Sequence, residues 1–250
     1  MPTTRNIKLT LEYDGTHFNG WQVQDKSKRT VQGEIEKVLS KIFKKKCRIM
    51  GSGRTDSSVH AKAQVVNFKT TSTMTPVQIL KALNAWLPED VSITHAQEVP
   101  LNFHAQYSVK SKIYRYSILN RPSRSALERH ASFFYPHHLN LSLVRREAKN
   151  LLGKKDFKSF QAADFSRAKR NTIRTIKKIQ IRKSADFIYI DIEADGFLYK
   201  MVRNIVGTLL EISSGKRSLG SIQKILKAKN RKAAGQTAPA KGLCLLEVKY

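Results

Sequence analysis

Ile7-Lys8-Leu9-Thr10-Leu11-Glu12-Tyr13 alternates apolar and polar side chains along its whole length. A period of two places Ile7, Leu9, Leu11 and Tyr13 on the buried face of a strand and Lys8, Thr10 and Glu12 on the other face. Asp14-Gly15 then turns the chain. From Thr30, whose hydroxyl suits an N-cap, Val31, Ile35, Val38, Leu39, Ile42 and Phe43 recur at helical spacing. Cys47 to Met50 reads as a short strand leading into a glycine-rich loop, and Ala63 to Phe68 as the next strand. Thr75-Pro76 supplies the N-cap and first residue of a second helix, which carries Val77, Leu80, Leu83, Trp86 and Leu87 and is ended by Pro88. A strand from Val91 to Val99 closes this half. The order is β-α-β-β-α-β, the ferredoxin-like arrangement of an α+β fold, with an antiparallel sheet and helices on one face.

The second half follows the same plan loosely. Tyr114 to Leu119 is a predicted strand, Leu141 to Leu152 a helix stopped by Gly153, and Ile173 to Ile181 with Phe187 to Ile192 a hairpin. An apolar helix runs from about Leu198 to Ile212, then a basic helix from Leu219 to Leu226 and a last strand from Leu243 to Val248. Two sheet domains meeting near residue 105 would form a cleft, and ligand sites favour such junctions. Lys224 to Lys232 is strongly basic, which fits a solvated helix face as well as an RNA contact.

Charge supplies the first functional constraint. The 250 residues carry 46 Lys and Arg against 19 Asp and Glu, a formal net charge of +27, while the charged fraction of 26% is ordinary. The imbalance of sign points to a polyanionic partner, and nucleic acid fits better than a membrane surface because the basic residues are scattered through all segments. With 40% hydrophobic residues the chain can bury a substantial core. Cys47 and Cys244 form no zinc-binding or disulfide pattern, so a reduced, cytoplasmic chain is expected. No apolar run reaches bilayer-spanning length, since Met201 to Ile212 is broken by Arg203 and Asn204.

The segment most informative about chemistry is Gly51-Ser52-Gly53-Arg54-Thr55-Asp56-Ser57-Ser58-Val59-His60-Ala61, between two predicted strands. Glycines permit tight turning, and an Arg and a carboxylate follow closely on an exposed connection. The loop lacks the third glycine of a dinucleotide fingerprint and the Gly-Lys-Ser/Thr of a phosphate loop. Asp56 and His60 have the spacing of a metal pair but lack a further ligand, and His137-His138 reads as a surface pair. A local Arg54–Asp56 salt bridge that simply fixes the loop is the plain structural alternative.

This stretch resembles the signature of the tRNA pseudouridine synthase A (TruA) family, in which a Gly-Arg-Thr-Asp loop followed by Val-His-Ala carries the catalytic aspartate. The resemblance extends along almost the whole chain. It includes Tyr13-Asp14-Gly15, Phe18, Gly20-Trp21-Gln22, Gln24 and Thr30-Val31-Gln32 near the start. Asn102-Phe103-His104-Ala105, Lys112-Ile113-Tyr114-Arg115-Tyr116 and Asp156-Phe157-Lys158-Ser159-Phe160 resemble its central motifs. Phe197 to Gly207 and Ala238-Pro239 with Gly242-Leu243 resemble its C-terminal pair. The resemblance implies isomerisation of uridine to pseudouridine in the tRNA anticodon stem-loop, at positions 38, 39 and 40, by a homodimer needing no cofactor and no metal. It also implies two ferredoxin-like halves around a central RNA-binding cleft. Residues 1–105 would carry the aspartate loop, and residues 106–250 the Tyr114 strand and the Arg203 helix.

The reaction detaches a base from C1′, rotates it and reattaches it through C5. Its nucleophile must be charged at neutral pH. A reference Asp pKa near 3.9 meets that condition without a separate base, whereas Ser or Thr needs activation. By resemblance Asp56 is the nucleophile, with attack on C1′, attack on the base and a glycal route all left open. Burial under a base opposes ionisation and a nearby guanidinium offsets that. Arg203, within an apolar helical run, is the candidate partner of Asp56, the competing fate being an Arg that snorkels to the surface. Tyr114 is by resemblance the ring over the target uridine, and sheet packing is its ordinary alternative. Arg54 is suited to holding the flipped nucleotide out of its stack.

The chain departs from the family pattern at Ser57-Ser58, where Ala-Gly is usual, at Ser52, where Ala is usual, and at Gln106, where an Arg often follows Phe-His-Ala. A lost glycine restricts the loop if its position needs positive φ, and a lost Arg removes a candidate phosphate contact. Two rival classes stand beside the enzyme: a non-catalytic basic RNA-binding or ribosome-associated protein, and a phosphoryl-transfer enzyme or metal-dependent nuclease, which would need clustered carboxylates, scarce among 19 acidic residues.

Overall fold

A computed structural model describes residues 3–24, 27–163 and 171–250. They form two compact units, 1–110 with 244–250 and 111–243.

In the first unit, β1 (Arg5–Tyr13) buries Ile7, Leu9, Leu11 and Tyr13 while Glu12 stays exposed, as the period of two requires. Helix α1 (Val31–Phe43) starts where Thr30 accepts the Gly33 N–H, and it buries Val31, Ile35, Val38 and Leu39. The short strand that follows, β2, covers only Met50–Gly51, later than the expected Cys47 start. Next come β3 (His60–Thr70), α2 (Pro76–Asn84) and β4 (Val91–Val99). Thr75 and Gln78 form a reciprocal capping box at the start of α2.

The buried stripe of α2 is Ile79 and Leu83, and Val77 and Trp86 are exposed, against expectation. Ile79 and Leu83 are four apart and so share one helix face, and beyond them the Asn84 side chain pairs with the Ile93 backbone at the start of β4. Strand β1 is antiparallel to both β3 and β4. The other edge of β3 is held by β2 at Val66 and Asn67.

The second unit contains β5 (Ser111–Leu119), β6 (Phe133–Phe134), α3 (Leu141–Lys149) and β7 (Gly153–Asp156). These are followed by β8 (Ile173–Ser184), β9 (Phe187–Ala194), α4 (Met201–Ser213) and α5 (Ser221–Ala228). Antiparallel pairs join β5 to β9, β9 to β8 and β8 to β7. Asp191 on β9 accepts both Arg115 and Arg182; burial opposes its ionisation, but those guanidiniums hold its carboxyl below the usual range. Helix α4 begins at Met201, after Lys200 takes a left-handed φ of 56°, and is buried nearly all round. The last strand, β10 (Leu243–Lys249), lies from Cys244 onward in the first unit, parallel to β3 at His60 and Ala61. Among the described residues no helix is long and apolar enough to cross a membrane.

Candidate active site

Tyr13, the last residue of β1, pairs with Ala61 of β3, so the chain leaving β1 runs beside the loop that enters β3. That register brings residues 13–21 against residues 52–59. The Tyr13 hydroxyl shares a 2.8 Å hydrogen bond with the Thr55 hydroxyl, and burial raises the Tyr13 phenol well above its ordinary value. The Trp21 N–H donates to the Thr55 carbonyl at 3.1 Å, and the Ser58 N–H to the Phe18 carbonyl at 3.3 Å. A Cβ at Gly15 would collide with the Val59 carbonyl, so only glycine allows this approach.

Fully buried Gln64 fastens the start of the loop. Its Oε1 accepts the Ser52 hydroxyl at 2.6 Å and the Val65 N–H at 3.1 Å, and its Nε2 donates to the Gly53 carbonyl at 3.0 Å. Ser52 is thereby tied to Gln64 by its hydroxyl, a bond that an alanine at this position could not make. On this braced loop Thr55 is buried, Asp56 half-buried and Arg54 exposed.

Ser58 has φ +61°, the left-handed conformation that favours glycine, so the restriction expected from a side chain here falls on a position of positive φ. His60 Nδ1 lies 3.1 Å from both the Gly15 N–H, which donates to it, and Asp14 Oδ1. Among the described residues no three His, Cys, Asp or Glu side chains gather into a metal-binding group.

Tyr114 and Arg203 lie in the second unit. Tyr114 is 8% exposed and meets Phe197 edge-on, ring centroids 5.1 Å apart at 86°. Two residues along β5, the buried Tyr116 donates its hydroxyl to the Pro239 carbonyl at 2.8 Å. Lys112 shares this strand face, and burial pushes its ammonium down to about 8.

Arg203 is half-buried on α4. Its Nε donates to the Ala238 carbonyl at 2.8 Å, and the Ala238 N–H donates back to the Arg203 carbonyl at 3.1 Å. The next residue, Asn204, is wholly buried and explains why the 235–239 segment lies along α4. Its Oδ1 accepts Thr237 Oγ1 at 2.7 Å and Arg231 Nη2 at 3.0 Å, and its Nδ2 donates to the Phe160 carbonyl at 2.7 Å. A Cβ at Gly207 would strike the Gln236 carbonyl.

Three motifs far apart in sequence, Asp156 to Phe160, Phe197 to Gly207 and Ala238-Pro239, therefore form one hydrogen-bonded cluster around Arg203. Arg54 and Asp56 share the braced loop, and Arg203 is oriented by Ala238. Sequence reasoning missed Gln64, Asn204, Thr237 and Arg231. For Gln64 and Asn204 the available signal was a polar residue within a largely apolar segment, Ala63 to Val66 and Met201 to Ile212.

The family model described as tRNA pseudouridine synthase matches residues 10–108 and 148–250. The chain belongs to the tRNA pseudouridine synthase family. Among its relatives, the tRNA pseudouridine synthase A of Clostridium acetobutylicum is 45% identical over 246 residues, covering 98% of this chain and 100% of that protein. That of Acetivibrio thermocellus is 43% identical with the same coverage. That of Geobacillus kaustophilus is 44% identical over 248 residues, 99% of this chain and 95% of its own. The family match includes Arg54, Asp56 and Arg203, while Tyr114 lies between its two matched segments.

Proposed function

We propose that this chain isomerises uridine to pseudouridine at positions 38, 39 and 40 of the tRNA anticodon stem-loop, with Asp56 as nucleophile. Membership of the family makes it an isomerase acting on tRNA. The observation that carries the finer assignment is Asp56 itself. It is a half-buried carboxylate on a loop whose Thr55 is held by Tyr13 and whose Gly53 is held by Gln64, with Gly15 packed closely against Val59. Such bracing holds a nucleophile in place before the substrate arrives.

In the reaction the N1–C1′ bond breaks, the C5–C1′ bond forms, the C5 proton leaves to solvent and N1 takes up a proton. Asp56 attacks the sugar or the base, or assists a glycal route. Arg203, held by the Ala238 carbonyl through Nε, is the guanidinium that keeps this carboxylate ionised under a bound base. Tyr114 packs over the target uridine, its ring braced edge-on by Phe197. Arg54, exposed beside the nucleophile, fills the place the base leaves.

We read the first unit as a ferredoxin-like half, because its elements follow the order β-α-β-β-α-β and its strands lie in the order β4-β1-β3-β2. The second half carries the Tyr114 strand and the Arg203 helix, and the working enzyme is a cytoplasmic homodimer. The test is incubation with tRNA tritiated at uridine C5, since joining C5 to the sugar must release the label. Release by wild type and none by Asp56→Asn is expected. No release by wild type would leave only a basic RNA-binding protein, and undiminished release by the variant would remove Asp56 from its role.

A further inference from the structure

Tyr107 presents 79% of its surface to solvent, yet the backbone beneath it is tightly held. Asn6, fully buried in β1, donates through Nδ2 to the carbonyls of Pro100 and Phe103, each at 3.0 Å. Asn67 donates to Asn6 Oδ1 at 2.9 Å and accepts the Ala105 N–H at 2.9 Å. The Tyr250 hydroxyl donates to the Ala105 carbonyl at 2.8 Å, and its ring packs on Phe103 with centroids 5.0 Å apart.

Within the turn, His104 Nδ1 accepts the N–H groups of Gln106 at 3.1 Å and Tyr107 at 3.3 Å. Accepting at Nδ1 places the neutral ring's proton on Nε2 and fixes the imidazole plane. The Tyr107 ring lies against that plane, centroids 4.3 Å apart and tilted by 33°. One face of the phenol is thus supported while the rest of the ring is displayed.

A ring with this exposure adds little to the core, and a flexible loop would be enough if it had no partner. Its exposed neighbours Asn102, Gln106, Ser108 and Lys110 are polar, with Leu101 the one apolar exception. Lys8 lies over the Phe103 and Tyr250 rings at 5.7 and 5.4 Å. A single rigid aromatic face in cationic, polar surroundings does not match an apolar protein interface. It matches a nucleobase, which stacks on any aromatic face while nearby ammonium groups attract its phosphates.

We propose that Tyr107, backed by His104, is a stacking platform for an unpaired nucleobase of the tRNA other than the reacting uridine. The identity of the RNA rests on the synthase function above; the stacking itself is read by binding alone. Tyr107→Ala raises the Kd for tRNA about 5- to 30-fold and Tyr107→Phe restores it, because the aromatic face and not the hydroxyl makes the contact. The slope of log affinity against log salt stays as in wild type for Tyr107→Ala, since no charge is removed.

In Tyr107→Trp, tRNA quenches indole fluorescence beyond the change seen in the parent chain, which contains Trp21 and Trp86. Equal affinity of Tyr107→Ala and wild type, or no added quench, overturns the proposal. So does a fall in sedimenting mass of Tyr107→Ala with RNA affinity intact, which would make this face a contact between copies. A wild type that binds and quenches with tRNA but releases no tritium would refute the synthase function while the platform stands.

Discussion

Ser58 stands at φ +61°, where an L-residue is strained and glycine is not. Replacing it by glycine removes that strain, worth about 1–2 kcal/mol for a left-handed residue with a Cβ. The gain is reduced by glycine's greater freedom in the unfolded chain, roughly 0.5–1 kcal/mol. The Ser58 hydroxyl contributes little, since its contact with the Thr16 carbonyl is 3.5 Å, at the limit of a hydrogen bond. Ser58→Gly therefore stabilises by about 0.5–1 kcal/mol, and for a chain of this size Tm rises by about 1–4 °C. Ser58→Ala keeps a Cβ at the same φ and gives no such rise. Differential scanning calorimetry of the three proteins is the assay. A lower Tm for Ser58→Gly, or an equal rise for Ser58→Ala, would show that backbone strain at this position is not what the glycine relieves.

Asp56→Asn lowers turnover by at least about 10³-fold while tRNA binding, measured by filter retention, persists, because the nucleophile is lost and the cationic surface is not. Asn204→Ala strands buried partners at Thr237, Arg231 and the Phe160 carbonyl, and destabilises by roughly 2–3 kcal/mol in urea titration. Asn204→Asp keeps the two acceptor contacts that set the Ala238 segment, so it retains more turnover than Asn204→Ala; the reverse order would separate this segment from Arg203's role. For Lys112 the folded value, about 8, lies below the ordinary 10.5, so between these pH values the unfolded chain binds the extra proton and stability rises with pH. Lys112→Met removes that slope and adds roughly 1–3 kcal/mol at pH 7, and pH-dependent denaturant titrations that show the same slope in both proteins would contradict it. If tRNA binding neutralises about six phosphates, affinity falls about 10³-fold between 50 and 200 mM salt, and a flat salt titration would rule out an electrostatic grip.

Local patterns were legible in the sequence because their causes are local. The alternation from Ile7 to Tyr13, the caps at Thr30 and Thr75 and the span from Val91 to Val99 all appear in the structure as expected. They depend on side-chain periodicity and on hydrogen bonds that close within a few residues. The 51–61 segment was also legible as a polar connection between two strands, since its glycines, Arg54 and Asp56 interrupt the apolar pattern on either side. Net charge marked a polyanionic partner but was silent on chemistry.

Tertiary structure decided what depends on distant residues meeting. Nothing near Thr55 in sequence says that Tyr13 reaches its hydroxyl; the β1–β3 register does. Nothing near Arg203 says that the Ala238 carbonyl orients it, because that contact exists only once Asn204 has drawn Thr237 and Arg231 onto α4. Which face of α2 is buried, and that Ser58 must adopt positive φ, likewise follow from packing. Sequence determined the elements and the reactive residue types, while long-range pairing, which local propensity cannot encode, determined how those residues are held.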